Sequence, residues 1–342
     1  MITNELTKPI SLIETDGTIN LGWSRKPVFD LNLEKAHFMK IKALQKFRAK
    51  KWDYYYVFTD KFFFSVTLAD IGYLGTAFIY FYEYESNTIT EDTIIIPFAS
   101  KFVMARNSDS GRTCFENKKL SVDFKVDKKY REVYIYYPTF NEGEGLEAQL
   151  RLFQGNGLES ICVVTPIEKD KMNYTHKICC MPVEGYIRRG EKKTQLKVGK
   201  DLGGLDWSRG FLSYRTFWNW ACTSAYQGNH TLGLNLCYGL NDTKDTENAF
   251  FVDGKCQKVD TVIFDYDKND LMKKWTVLSS DKRVSLNFIP DKERIAKTDM
   301  KLIKSEVHQL FGHFNGELVL DDGSRFTIEN IRGAIEEHHA RW

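Results

Sequence analysis

Gly203-Gly204-Leu205-Asp206-Trp207-Ser208-Arg209-Gly210, continuing through Phe211-Leu212-Ser213-Tyr214-Arg215-Thr216-Phe217-Trp218-Asn219-Trp220-Ala221, is the stretch whose reading decides the fold. It holds three of the seven tryptophans of a 342-residue chain. Paired glycines allow backbone geometry that a Cβ forbids, so the sequence predicts a sharp turn into Asp206. Asp206 and Arg209, three residues apart, are then placed to pair across that turn. From Tyr214 the pattern is a strand of period two. Tyr214, Thr216, Trp218 and Trp220 share one face; Arg215, Phe217, Asn219 and Ala221 share the other. Two readings stay open. Trp207, Tyr214, Trp218 and Trp220 line an apolar cavity beside a charged corner. Alternatively the aromatic face is barrel core and Asp206–Arg209 is a structural ion pair at its rim.

Working outward, the strand signals multiply. Trp52–Phe58 and Phe62–Leu68 flank Thr59-Asp60-Lys61 and read as a hairpin. Tyr73–Tyr84 reads as a further long strand, apolar on both sides. Asp253-Gly254 between two apolar runs signals a type I′ hairpin. Turns are expected again at Asn315-Gly316 and Asp322-Gly323, and a strand is expected to end at Pro290. One short amphipathic helix is expected at 41–50, with Ile41, Leu44 and Phe47 on a common face. Close-spaced strands with Asx-Gly turns imply antiparallel meanders that close as barrels. The length suits two domains, with a junction expected near residue 200: 1–200 and 201–342.

Composition excludes several classes. Net charge of +2 gives no electrostatic basis for nucleic-acid binding. No stretch reaches the roughly 18 apolar residues of a membrane span. The N-terminal residues lack a basic-then-apolar leader pattern. Seven scattered cysteines without a CxxC read as reduced thiols, which fits a cytoplasmic protein. The fold class expected is therefore all-β, two antiparallel barrels in tandem.

Candidate chemistry is sparse. Glu247, just before a strand, offers an acid or base, and Asn248 beside it a ligand-orienting amide; a turn or capping role fits both equally. His308 opens a strand, with His313 on the opposite face, which argues against a shared metal. The C-terminal Glu336-Glu337-His338-His339-Ala340-Arg341-Trp342 gathers acids and histidines, but without metal-ligand spacing. Arg341 and Trp342 there read as a plug for a barrel end or domain interface. There is no Walker loop and no GxSxG. No cofactor and no metal is implied.

The phrases LGWSRKP (21–27), KKWDYYYV (50–57), GGLDWSRG and YRTFWNWA (203–221), GLNLCYG and TENAFFVDG (233–254), HQLFGHFNG (308–316) and EEHHARW (336–342) together resemble the DUF2804 family. A more distant similarity is to the AttH and carotenoid-hydratase group of tandem lipocalin-like proteins. That resemblance implies two calycin-type barrels with a hydrophobic small-molecule site near their junction. Cofactor-free hydration, cyclisation or isomerisation of isoprenoid-like double bonds is the activity it implies. Asp206 would then be the proton donor, tuned by Arg209 or Glu247, with Trp207, Tyr214, Trp218, Trp220, Asn248 and His308 around the ligand. The alternatives are a non-catalytic lipid carrier, or a protein-interaction module with filled barrels.

Overall fold

A computed structural model describes residues 5–342 apart from 38, 40, 156, 169–170, 241–245 and 300–302. The chain is mostly strand, with almost no helix. Helix among the described residues is limited to two 3-10 turns, Leu33–Lys35 and Lys42–Phe47, and one turn at Phe140–Gly143. The helix expected at 41–50 is thus a short 3-10 segment, and its Ile41 and Leu44 are exposed rather than packed. Among the described residues no helix is long and apolar enough to cross a membrane. All seven cysteines are free thiols.

Two antiparallel sheets account for most of the molecule. The first runs, in spatial order, Thr88–Pro97, Leu74–Glu83, Phe62–Asp70, Ala49–Phe58, Leu202–Phe211, Lys171–Arg189, Leu146–Phe153, Tyr130–Tyr137, Ser121–Val126 and Gly111–Glu116. The second runs Lys255–Lys258, Ala249–Val252, His230–Tyr238, Arg215–Gln227, Arg325–Arg341, Lys304–Val319, Val284–Asp299, Trp275–Ser279 and Val262–Asp265. Each sheet curls on itself. Phe115 and Phe124 from one end of the first share a core with Val66 and Ile79 from the other. Leu234 and Phe264 do the same in the second. Each is a curled antiparallel barrel filled by its own apolar side chains.

The change of sheet falls between Phe211 and Arg215, so the opening stretch spans both barrels. Leu202–Phe211 joins the two halves of the first sheet, inserting between Ala49–Phe58 and Lys171–Arg189. Its paired glycines do not turn the chain. They lie mid-strand, where a Cβ on Gly204 would stand 2.0 Å from the Tyr56 ring and one on Gly203 would stand 2.6 Å from Leu152. Gly204 lets the Tyr56 ring cross the strand, and Gly203 makes room for Leu152 on the other face.

Other turns behave as expected or not for local reasons. Asp253 and Gly254 both adopt positive φ in a tight hairpin, and Gly323 does so at the 322–323 turn. Asn315-Gly316 is not a turn. It is a bulge inside the continuous strand Lys304–Val319, where a Cβ on Gly316 would collide with the Ser285 carbonyl oxygen at 2.1 Å. The strand also continues past Pro290, because the ladder shifts register between Pro290 and Lys292. A proline at a bulge removes no ladder bond.

The barrels dock through an aromatic layer. Tyr54, Tyr56, Phe58, Phe63, Tyr80 and Tyr82 of the first pack on Trp220, Cys222, Phe311 and Ala334 of the second. Gly233 lets the backbones approach closely, since a Cβ there would meet Cys179 at 2.4 Å. Burying a large apolar side chain contributes about 1.5–3 kcal/mol. An apolar layer of this composition opposes the hinge motion that polar contacts permit.

Candidate active site between the barrels

The docking layer does not fill the whole gap. A cavity of about 260 Å³ remains between the barrels. Strand parity explains its lining. In Ala49–Phe58, Tyr55 and Val57 point into the first barrel, so Trp52 and Tyr54 point outward to the cavity. In Leu202–Phe211, Leu205 and Trp207 point inward, so Asp206 and Ser208 point outward. The second barrel answers with Trp218 and Trp220 on one strand, Glu336 and His338 on the next, and Gln309 on the one beyond.

A charged cluster occupies part of this space. Lys177, from Lys171–Arg189, is almost fully buried and places its Nζ 2.7 Å from Asp206 Oδ2 and 3.2 Å from Glu247 Oε1. Burial opposes its charge, but the two carboxylates outweigh this and hold the ammonium above its ordinary range. The ammonium also sits 5.1 Å from the Trp220 ring centroid. Asp206 Oδ1 accepts from Trp52 Nε1 at 3.2 Å and from Ser208 Oγ at 3.3 Å. Burial pushes the Glu247 carboxyl up; Lys177 opposes this and Asp206 adds to it.

Glu336 is different in kind. Its oxygens accept from neutral donors, Trp218 Nε1 at 2.8 Å and Gln309 Nε2 at 3.3 Å. Burial pushes its carboxyl up to about 7; the Trp218 bond opposes this, while the charge of Asp206 adds to it. Gln309 is fixed in turn by Tyr80, whose hydroxyl donates to Oε1 at 2.6 Å, with the Tyr54 hydroxyl 2.8 Å behind. Arg294 of the second barrel clamps Glu91 of the first through two bonds of 2.9 and 2.5 Å, and lies 4.0 Å over the Tyr80 ring. His338 packs on Trp218 with centroids 4.0 Å apart. Burial drives its pKa down to about 3, so it is a neutral imidazole.

The structure brings Asp206, Glu247, Trp218 and Trp220 together and sends the other expected residues elsewhere. Asp206 and Arg209 do not pair, because residues three apart on a strand face opposite sides. Arg209 is buried in the first barrel, 2.7 Å from Asp53 Oδ1 and 3.7 Å from the Trp207 ring centroid. Trp207 is core beside Tyr174. Tyr214 is exposed, and its carbonyl accepts the Trp342 N–H. Asn248 pins backbone, accepting from Cys237 N at 2.6 Å and donating to Asp260 O at 3.2 Å. His308 points away from the cavity to Glu293 and Glu306. Trp342, expected as a plug, does line the cavity mouth and bonds Thr216 Oγ1 at 2.7 Å.

A profile for the domain of unknown function DUF2804 matches residues 3–342. The chain belongs to the DUF2804 family. No curated protein matches it. Among solved structures it is similar to a putative AttH from Nitrosomonas europaea, at 12% identity and TM-score 0.43, over 86% of this chain and 93% of that one. It is also similar to kievitone hydratase from Nectria haematococca, at 9% identity and TM-score 0.46, over 86% and 88%. No group of three metal-ligating side chains occurs among the described residues of this DUF2804 protein.

Lys177, Gln309, Arg294, Glu336 and His338 were not candidates from sequence. The C-terminal acids and histidines drew notice only for metal spacing. Read with period two, the same seven residues place Glu336 and His338 on one face, opposite Trp220 and Trp218 respectively.

Proposed function

We propose that this protein binds a mostly apolar small molecule in the cavity between its barrels and acts on it by cofactor-free acid–base chemistry. The observation that carries the reading is the cavity's composition. Its walls are aromatic, yet the carboxyl groups of Asp206, Glu247 and Glu336 and the Lys177 ammonium converge on it. Such a site suits a ligand with an apolar body and a polarised or unsaturated end.

Glu336 is the proton donor in this reading, in place of Asp206. Asp206 is engaged by Lys177 and two further donors, all contacts to an acceptor. Glu336, held near neutrality by burial, is the group matched to giving and taking a proton at pH 7. It protonates a double bond or an oxygen of the ligand. The π faces of Trp218, Trp220 and Tyr54 support the developing positive charge. Capture of the cation by water, with a proton passed to a carboxylate, gives hydration; loss of a neighbouring proton gives isomerisation. Asp206, Lys177 and Glu247 fix the polar end and supply the second carboxylate.

The test begins with native mass spectrometry to find the co-purifying ligand. Glu336→Gln is expected to keep that ligand and lose turnover by roughly 10²–10⁴-fold. Unchanged turnover removes Glu336 from the mechanism. A retained ligand that neither protein converts makes the molecule a carrier.

A further inference from the structure

A second cavity, of about 510 Å³, lies on the first barrel, away from the charged cluster. Two of its lining side chains are fully or almost fully buried, one a cation without a counter-charge and the other an imidazole with an unpartnered nitrogen. Arg131 has no exposed surface. Its guanidinium donates to Gln154 Oε1 at 2.7 Å, Tyr55 Oη at 3.2 Å and Ser108 O at 2.5 Å, all neutral acceptors. Among the described residues no carboxylate stands within ion-pair distance of it. Arg209, the other guanidinium of this barrel's interior, has Asp53 to itself. A buried cation without a counter-charge is costly, and proteins pair it or bind an anion there.

His176 supplies the second orphan. Ser160 Oγ donates its one proton to Arg25 O at 2.9 Å. It therefore accepts from His176 Nε2, 3.0 Å away. That leaves Nδ1 as a bare acceptor, and it is buried without a partner. Burial, with the nearby Arg131 charge, holds this imidazole neutral. The cavity thus offers one uncompensated positive charge and one unfilled acceptor. Pro27, Leu158 and Ile178 add apolar wall. At the rim Lys26 and Lys128 face Asp109 and Asp127, which disfavours a highly charged guest.

We infer that this cavity is a second ligand site, built for a small 2-hydroxy monocarboxylate with a short apolar tail. The carboxylate lies against Arg131, the hydroxyl donates to His176 Nδ1, and the tail meets Leu158 and Ile178. The site is independent of the chemistry proposed between the barrels.

Isothermal titration at constant ionic strength tests it with three probes: 2-hydroxyisocaproate, isocaproate lacking the hydroxyl, and inorganic phosphate. The hydroxy acid is expected to bind saturably and about tenfold more tightly than isocaproate, the worth of one buried hydrogen bond. His176→Phe is expected to erase that preference while keeping both acids bound. Arg131→Gln is expected to abolish both; where that variant does not fold, His176→Phe and the comparison of acids still decide. No saturable heat from either acid overturns the site. Equal affinity for the two acids overturns the hydroxyl assignment. Phosphate binding tighter than both overturns the carboxylate assignment.

Discussion

The two faces of Leu202–Phe211 carry the same kinds of residue and do opposite things. Inward, Arg209, Asp53 and Trp207 form a closed set with the guanidinium stacked on the indole and the charge neutralised. Outward, Asp206 meets Lys177 and Glu247, a set with one cation for two acids, next to open space. A buried pair that is fully matched is structure. A buried cluster that is left unbalanced beside a cavity is where chemistry is to be sought. The difference comes from one-residue alternation along a single strand.

The largest effect expected from breaking this contrast is on the inward face. Arg209→Leu strands the Asp53 carboxylate in the barrel and should cost about 3–5 kcal/mol by urea denaturation. Asp206→Asn on the outward face should cost only about 1–2 kcal/mol, since Lys177 keeps Glu247. Equal losses would mean that the outward cluster is structural too.

Next comes a pH signature. Glu336 has its pKa raised on folding, to about 7, so its ionisation is harder in the folded chain. Its contribution is fully present below the unfolded value near 4.5 and is lost as pH rises through 7. The stability of wild type relative to Glu336→Gln should therefore fall by about 3 kcal/mol between pH 4.5 and 8. The histidines whose pKa is lowered, His176 and His338, act oppositely but are common to both proteins and cancel in the difference. A flat difference would place Glu336 in contact with water.

Smaller still, Gly204→Ala should cost about 1–3 kcal/mol by overpacking, most of it recovered in a Gly204→Ala, Tyr56→Ala double variant. Additive losses would show that the glycine serves the backbone rather than the Tyr56 ring. Least of all, His308→Ala should shift stability by less than about 1 kcal/mol and leave ligand binding unchanged, because its partners are surface carboxylates.

Much of the fold is legible in the sequence because it rests on local alternation. The 52–68 hairpin, the 74–83 strand and the Asp253-Gly254 turn follow from residue type and spacing alone. What alternation could not reveal is which glycines turn. Gly203, Gly204 and Gly316 are answers to side chains and carbonyls from distant strands, so they look like turn residues until the neighbours are placed. The site divides the same way. Trp218 and Trp220 share a face by parity, and that face does look onto the cavity. Reading 203–210 as a turn coupled Asp206 to Arg209; as a strand it separates them. Lys177 and Arg294 sit in long strands with no local mark of function; strand pairing sets Lys177 opposite Asp206, and the docking of two barrels brings Lys177 to Glu247 and Arg294 to Glu91.

The central claim is that the ligand lies between the barrels, against the outward face. Ala69 is buried, lines that cavity and belongs to neither barrel's core cluster. Native mass spectrometry of wild type and Ala69→Phe, each confirmed folded by circular dichroism, tests the claim most directly. The bound mass is expected in wild type and absent when the phenyl ring fills the cavity. Retention of the same bound mass by Ala69→Phe, at the same occupancy, would contradict it.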